Sequence, residues 1–481
     1  MSRFIEEDSR IQTTLFPERL EDFIAEDNPI RVIDAFVDGL DLRDIGFDRA
    51  TPKQTGRPAY KPATLLKLYL YGYMNRIQSS RRLEQETHRN VELMWLLGRL
   101  QPDFKTIANF RKDNGKAIQQ CCREFVEICR QLDLFAKSII AIDGSKFKAV
   151  NTKQKNDTQG SLKRRIKRTE QHIAKYLAAL DDTDDDDPGG SDQREPELKE
   201  KLAALNEHLN QLKLREKLVK EHPDKQLSET DPDSRLMKQS TVGSLVGYNV
   251  QNAVDAEHKL IIAHEVTNKP TDRGQLLPLS MLAKEALALD DGDELIVLAD
   301  RGYYKGTDML ACTKNDITSL VPKSTTSPTG ALGFYPRDAF KYEPENDVYR
   351  CPAGEPLKYR GTSLEDGKNI KSYFASNPVC RACKLKTKCT KGVHRRVRRW
   401  EHEEVLEQLD KKLNDMPDAM TVRAQTVEHP FGTLKFWMGA RHFLMKRLEN
   451  VRTEMSLHVL SYNLRRMITI VGVPALIEIV S

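Results

Sequence analysis

Long apolar runs are missing from this chain. No uninterrupted stretch approaches the ~18–20 apolar residues that a bilayer span requires, which argues against a membrane role. The opening residues, Met1-Ser2-Arg3-Phe4-Ile5-Glu6-Glu7, turn acidic at once and lack the apolar core of a secretory signal. The expectation is a cytoplasmic protein. Net charge is also small: 76 basic residues against 71 acidic ones leave only +5, so the basic residues matter by position. Acid is absent from one block, where Lys384, Lys386, Lys388, Lys391, Arg395, Arg396, Arg398 and Arg399 run together. A block without acids suits a polyanion, and a solvated loop is the alternative.

At 481 residues the chain is long enough for roughly two to four domains. Hydrophobic residues at 39% and charged residues at 31% describe a polar globular protein. Residues 1–135 read as an N-terminal helical domain. Helices are expected from Asn28 to Leu40, from Pro62 to Tyr73 with proline at the first turn, from Ser79 to His88, and from Asp103 to about Leu132. Arg76, Arg81, Arg82, Arg89, Lys105, Arg111 and Lys112 on these short helices fit a DNA-binding module. No unambiguous helix-turn-helix signature accompanies them, and a scaffolding helical domain is the alternative.

Between 160 and 222 the pattern becomes heptad. Leu162, Ile166, Thr169, Ile173, Tyr176 and Leu180 step by four and three, as do Leu198, Leu202, Leu205, Leu209 and Leu212. Two such helices joined by the acidic run Asp181–Gly190 form an antiparallel coiled-coil hairpin. The acidic run itself reads as a solvated loop rather than a metal site.

Around that insertion lie strands. Ile139-Ile140-Ala141-Ile142 is a continuous apolar run ending in Asp143-Gly144, which reads as a buried strand closed by a turn. Tyr248–Asp255 and Lys259–Val266 form a hairpin, with Asp255 as a turn residue and His264 on the strand. A helix from Asp272 to about Leu287 follows, capped by Thr271. Then come strand Glu294–Ala299 ending in Asp300, helix Lys305–Cys312, and strand Ile317–Val321. This order describes a mixed α/β sheet with flanking helices. Residues 325–400 read as an irregular Cys-rich insertion, and the chain from Glu401 onward as helical.

Eight cysteines divide into two sets. Cys121, Cys122, Cys129 and Cys312 lie in apolar surroundings and read as buried thiols. Cys351, then Cys380-x2-Cys383-x5-Cys389, could form a closed four-thiolate zinc site that supplies a core to an irregular segment. No histidine or water-activating glutamate accompanies them, so a catalytic zinc is not expected.

Asp143 and Asp300 both close apolar strands. If those strands are neighbours, the two carboxylates emerge together and can share a metal ion; hard oxygen ligands suit Mg2+ or Mn2+. A two-metal site for phosphodiester chemistry needs a third acid. The candidate is Glu428 in Arg423-Ala424-Gln425-Thr426-Val427-Glu428-His429-Pro430-Phe431-Gly432-Thr433-Leu434-Lys435. Glu428 and Lys435 are seven apart and share a helix face, with Val427, Phe431 and Leu434 on an adjoining apolar face. Pro430 and Gly432 predict a kink there, or a helix that begins nearer Glu428.

These contexts, with Gly247-Tyr248-Asn249-Val250-Gln251 and Ser461-Tyr462-Asn463-Leu464-Arg465-Arg466, resemble bacterial insertion-sequence DDE transposases. The resemblance spans nearly the whole chain. It implies a ribonuclease-H-like catalytic domain over 136–480, interrupted by the hairpin at 160–222 and the Cys-rich insertion at 325–400. It implies that Asp143, Asp300 and Glu428 hold two Mg2+ (or Mn2+) ions, that transposon ends are cut, and that the freed 3′-hydroxyl attacks target DNA. Double-stranded DNA is then the partner, bound by a homodimer near the bacterial nucleoid. Lys435, Arg423, Arg395 and Arg396 would contact DNA, and Lys146 and Arg301, close to the acids, would contact DNA phosphates or simply screen the carboxylates. Related transposases carry Tyr-x2-Arg-x3-Glu-x6-Lys; here Arg423 stands five residues before Glu428 rather than four, and the tyrosine position is not aromatic. Two other readings remain open: a catalytically inactive DNA-binding derivative, and a ribonuclease-H-like nuclease without strand transfer.

Overall fold

The computed structural model describes residues 19–480 apart from 52–57, 136–138, 186–193, 240–242, 291 and 324–332. The acidic stretch Met1–Glu7 lies outside the described residues, and so do 186–190 of the acidic connection.

Six helices come first: α1 (Ile30–Asp38), α2 (Pro62–Met74), α3 (Ser80–Thr87), α4 (Val91–Leu96), α5 (Phe104–Asp113) and α6 (Gly115–Gln131). Strand β1 (Ile139–Lys148) follows, then β2 (Asn156–Thr158), helices α7 (Gln159–Asp185) and α8 (Arg194–Glu221), and strands β3 (Gln226–Ser228), β4 (Arg235–Gln239), β5 (Gly243–Asp255) and β6 (Ile261–Thr267). Next are α9 (Leu276–Ala286), β7 (Leu295–Ala299), α10 (Gly306–Thr313) and β8 (Ile317–Leu320). The former Cys-rich segment holds β9 (Lys341–Glu343), β10 (Val348–Arg350), β11 (Pro356–Glu365), β12 (Lys368–Phe374), α11 (Asn377–Ala382), α12 (Lys386–Cys389) and β13 (Val397–Trp400). The chain closes with α13 (Glu403–Asn414), α14 (Ala419–Gly432), a π-helical turn (Thr433–Trp437), α15 (Leu448–Val471) and α16 (Val473–Val480).

Contacts divide the chain into two compact units. One gathers Met1–Ala136, Gly144–Thr271 and Val427–Ser481; the other gathers Lys137–Asp143 and Asp272–Thr426. Strand β1 and helix α14 each run through a boundary.

In the first unit, α2 is buried on nearly every side: Leu66, Leu68, Tyr69, Leu70 and Tyr73 have no exposed surface. An all-round apolar helix needs cover on all faces. Leu457, Leu460, Leu464 and Met467 of α15 and Leu476 of α16 supply part of it, in one continuous core with α1 to α6. The domain break expected at residue 135 therefore does not part the hydrophobic core. β5 is flanked by β4 and β6 in antiparallel register. β4 was not expected, because five residues with only Leu236 and Met237 apolar give too weak an alternation. Asn463, on α15, donates to the Ile261 carbonyl at 2.8 Å and accepts from its amide at 2.9 Å, completing the backbone bonds of β6 where the strand register shifts. Asp255 accepts the Glu257 and His258 amides as a turn residue, and half-buried His264 contacts Ser456 Oγ at 2.8 Å. Burial lowers the His264 ring to about 4.

The heptad hairpin is present as α7 and α8, with Leu162, Leu209, Leu212 and Val219 buried along its seam. Its base is pinned by a β2–β3 pair, Asn156 opposite Ser228, and by Asp157, which binds Arg165 at 2.7 Å and Arg215 at 3.3 Å.

The second unit carries a parallel core. β1 pairs with β7, Ile139 opposite Ile296 through Ile142 opposite Ala299, and β7 pairs with β8. β1 does not stop at Asp143-Gly144 as the apolar run implied. The strand continues to Lys148, because its second half has its own neighbour in the first unit: the amide of Ala149 reaches the Val246 carbonyl at 3.0 Å. The expected start of α9 at Asp272 is also corrected. Gly274 at φ +84° turns the chain and Gln275 bonds back to Asp272, so the helix begins at Leu276. Residues 341–400 are not irregular. They form a five-stranded antiparallel sheet in the order β13-β12-β11-β10-β9. Its long hairpin closes through Asp366 and Gly367, both at positive φ (48° and 73°), between paired Glu365 and Lys368. Asp-Gly is the pair that such a two-residue turn favours.

One buried carboxylate organises the loop before α15. Glu454 has no exposed surface and accepts the amides of Leu444 at 2.9 Å and Met445 at 2.8 Å. Burial raises its carboxyl above the usual range, opposed by the charge of Arg111 and by those two amides. Glu454→Ala leaves both donors without an acceptor, at a cost of roughly 1–3 kcal/mol for each buried orphan. The urea midpoint should fall accordingly; a variant as stable as its parent would refute the clamp.

Candidate active site

Asp143 and Asp300 directly follow the last paired residues of β1 and β7, Ile142 and Ala299. Parallel pairing carries both chains in the same direction, so the two acids leave the pairing side by side. Asp143 thus stands at the end of the parallel ladder, although not at the end of its strand. Asp300 caps a short helical turn, accepting the Gly302 amide at 2.8 Å. A Cβ on Gly302 would lie 2.9 Å from the Asp300 carboxylate, so glycine keeps that oxygen accessible.

Arg423, on α14, binds Asp143 Oδ1 at 2.7 Å, with only 15% and 25% of the two side chains exposed. A guanidinium at that distance from a partly buried carboxylate is a strong, charge-assisted contact. Tyr303 is fully buried beside them. Its hydroxyl is held well above its ordinary range, first by burial and then by the charges of Asp272, Asp143 and Asp300, with Arg423 acting in the opposite sense. Asp272 therefore belongs to this neighbourhood and not to the start of a helix. Sequence reasoning assigned it a helix-terminal role because Thr271-Asp272 looks like a cap; the positive φ of Gly274 was the missed signal.

In the first unit, α14 runs without a break past Pro430 to Gly432 and only then opens into the π turn, so the expected kink is displaced to Thr433–Trp437. A π turn is one way to absorb the hydrogen bond that a proline removes. Val427, Phe431 and Leu434 are buried as the sequence implied, and Glu428 is exposed. Lys435 Nζ donates to Ser145 Oγ and to the Lys146 carbonyl at 3.2 Å, and lies over the Phe147 ring at 4.6 Å. It is thus anchored to the residues of β1 that come just after Asp143. Arg301 is exposed and Lys146 half-buried. The family-like residues Tyr462 and Tyr248 serve the frame: Tyr462 donates to the Lys259 carbonyl at 2.7 Å, and Tyr248 to Asp231 at 2.8 Å.

The basic block is less open than its sequence implied. Arg395 turns inward, to the Cys389 and Tyr335 carbonyls at 3.3 Å each, and over Phe340. Arg399 is buried against Glu407 at 2.8 Å, and Arg398 binds Glu365 at 2.8 Å. Arg396 remains exposed.

Cys351, Cys380, Cys383 and Cys389 all line one cavity of about 30 Å³, with Leu357, Ala375 and Arg395. That volume suits a single ion rather than an organic cofactor. Burial raises the Cys389 thiol; Arg395 lowers it, while Cys351, Cys380 and Cys383 push it up. Among the described residues, however, no three His, Cys, Asp or Glu side chains are arranged to hold a metal ion. The donor types do fit: four soft sulfurs for zinc, and hard carboxylate oxygens at Asp143 and Asp300 for magnesium.

Comparison with known proteins gives two family matches. A transposase domain model (DUF772) matches residues 18–113, and a transposase DDE domain model matches residues 350–468. The second match takes in Arg423, Glu428, Lys435 and all four clustered cysteines, while Asp143 and Asp300 lie before it. No curated protein matches the chain. Among solved structures, a piggyBac transposase synaptic complex with hairpin DNA aligns at 8% identity and a TM-score of 0.32, over 92% of this chain and 75% of that one, which is too distant to transfer any residue. Both matches are to transposase domains, one near the N-terminus and one toward the C-terminus, and together they support a DDE-type transposase of the insertion-sequence kind.

Proposed function

We propose that the chain cuts DNA at transposon ends and joins those ends to target DNA, with Asp143, Asp300 and Glu428 as the metal-holding acids. The observation that carries this reading is the exit of Asp143 and Asp300 from adjacent parallel strands, with Ile142 opposite Ala299. Further support comes from α14, where Arg423 binds Asp143 and Glu428 follows five residues later on the same helix. The antiparallel β4–β5–β6 group of the first unit and the parallel β1–β7–β8 pairing of the second, each taken by itself, support a ribonuclease-H-like catalytic domain. Two Mg2+ or Mn2+ ions, when bound, supply an activated water and stabilise the leaving oxygen of an in-line displacement.

The protein's own groups then have distinct tasks. Asp143 and Asp300 present carboxylate oxygens from the end of the parallel ladder, one within its strand and one just after its own. Glu428 adds a third from the helix. Arg423 compensates the carboxylate charge at Asp143. Lys435, held on Ser145, places a positive charge for a DNA phosphate. Lys146, Arg301 and Arg396 are further phosphate contacts on this reading, and a homodimer holds the two ends together. Arg395 is left out of the DNA-contacting set because its guanidinium is engaged by backbone carbonyls.

The test is Asp143→Asn. This change keeps the side-chain shape and removes the charge, so Mg2+-dependent cleavage of end DNA should fall by several orders of magnitude while DNA binding persists. Cleavage at the parental rate would sink the assignment. Strand-transfer products, scored in the same assay, separate a transposase from a nuclease that only cuts.

We further propose that Cys351, Cys380, Cys383 and Cys389 bind one structural Zn2+, which draws the four sulfurs into a tetrahedral shell. Metal analysis of reduced protein should find about one zinc per chain, and none would refute the site. Thiol titration gives a second readout. Near pH 8, burial leaves almost no thiolate at Cys122 and Cys312, each pushed up to about 12, or at the still higher Cys121 and Cys129. Chelator-treated native protein should therefore show the partly exposed thiols of Cys351, Cys380, Cys383 and Cys389 reacting ahead of the buried ones, and zinc should protect them when restored. The buried set should react only on unfolding.

A further inference from the structure

Phe436 and Trp437 are each 64% exposed, the most exposed of the described large aromatic side chains. Two adjacent aromatics in water would ordinarily signal a loose loop, but this backbone is firmly held. They lie at the end of the π turn, between Leu434 and Met438, both fully buried. Those two anchors face inward and set the phase of the turn, which leaves Phe436 and Trp437 pointing out while Lys435 reaches back to Ser145. Met438 bonds back to Thr433 and Ala440 to Leu434, each at 2.9 Å. From the N-terminal helices, Gln78 donates to the Met438 carbonyl at 2.8 Å and Arg76 donates to the Trp437 carbonyl. Arg76 does this from a left-handed conformation, φ +61°, that a non-glycine residue adopts at some cost.

Along the segment itself the charge has one sign. Thr433 to Arg447 carries Lys435, Arg441, His442, Lys446 and Arg447 and no acid. Arg76 lies over the Trp437 ring at 6.0 Å and Arg441 over the Phe436 ring at 5.3 Å. A rigid aromatic pair framed by cations matches a polyanion that also offers flat π faces. Paired duplex DNA hides those faces within its own stack; an unpaired nucleotide presents one. Lys435, the neighbour of Phe436, is tied to Ser145 and Lys146 just beyond Asp143, so the platform adjoins the strand that carries a proposed catalytic acid.

We propose that Phe436 and Trp437 form a stacking platform for an unpaired base of the DNA end, with Arg76 and Arg441 contacting the flanking phosphates. This rests on the proposed transposase reading and adds the state of the DNA that the protein holds. Trp437 binds and positions; it takes no part in bond breaking.

The experiment compares two probes: a short fully paired duplex, and the same duplex carrying one unpaired 2-aminopurine. The parent should bind the second more tightly and quench its fluorescence on stacking. Trp437→Ala should lose roughly 5- to 150-fold in affinity for the unpaired probe, the range for one base–aromatic stack, with no quenching. Its affinity for the paired duplex and its thermal stability should be unchanged, since the side chain is mostly exposed. Trp437→Phe should restore most of the discrimination. Equal loss on both probes, or no loss on either, overturns the platform. Loss of self-association with discrimination intact would assign the surface to a second copy of the chain, and likewise overturns it. A parent that binds neither probe overturns the transposase reading and the platform together, whereas a parent that binds both equally overturns the platform alone.

Discussion

Four residues of parallel pairing, Ile139–Ile142 against Ile296–Ala299, set the geometry on which the candidate site depends. Without that ladder Asp143 and Asp300 are two unrelated turn residues, more than 150 positions apart in the chain. With it they leave adjacent strands side by side. Arg423 compensates the carboxylate charge at Asp143. The long intervening segment holds a coiled-coil hairpin, an antiparallel strand group and a helix, and it perturbs the ladder little. Loop-closure entropy grows only with the logarithm of length, and each inserted piece carries its own packing. The hairpin, for instance, has a seam of its own and a β2–β3 clasp at its base.

A second constraint acts in the other unit, where buried polar groups hold backbone that would otherwise lack partners. Glu454 binds the amides of Leu444 and Met445, Asp231 binds Tyr248 and the Arg447 amide at 2.9 Å, and Asp233 binds the Leu448 amide at 2.9 Å. Arg447 itself sits at φ +70°. The segment from the π turn to α15 is therefore fixed at its far end by three carboxylates and at its near end by Gln78 and Arg76. Such networks are costly when half satisfied and rigid when complete. Rigidity here is what allows Phe436 and Trp437 to stand exposed without collapsing onto the nearest apolar surface.

Much of this was legible in the sequence wherever the signal was local and periodic. The heptads of α7 and α8, the β5–β6 hairpin and the apolar runs of β1 and β7 all followed from spacing. The misses share a physical cause, which is that a neighbour decided the outcome. β1 extends past Asp143-Gly144 because its second half has a partner of its own. Arg395 and Arg399 looked like surface cations, but carbonyls and Glu407 within their own sheet module claim them. α9 starts late because Gly274 adopts positive φ. The sheet of residues 341–400 is different: Asp366-Gly367 is a local signal for a tight hairpin, set in a segment whose strands carry little apolar alternation. The placement of Asp143 beside Asp300 was inferred from two strand-ending acids, and the ladder register supports the reason given for it, though not the assumption that both strands stop there.

The helix that carries Arg423 and Glu428 ties these constraints together. Charge compensation at Asp143 and the proposed third acid come from one element, so a shift of α14 would alter both. Pro430 lies in that helix just after Glu428, where a kink was expected, yet the disturbance emerges three residues later as the π turn. The straight part of the helix thus includes both Arg423 and Glu428, while the irregular part includes Lys435 and the exposed aromatics. Under the proposed function, regular geometry serves residues whose spacing to other groups must be exact to a fraction of an ångström, as metal-holding acids require, and the wider turn serves the exposed aromatics that would meet a larger and less uniform ligand. On the proposed reading, the sequence Glu428-His429-Pro430-Phe431-Gly432-Thr433-Leu434-Lys435-Phe436-Trp437 is one continuous device that passes from metal to phosphate to base.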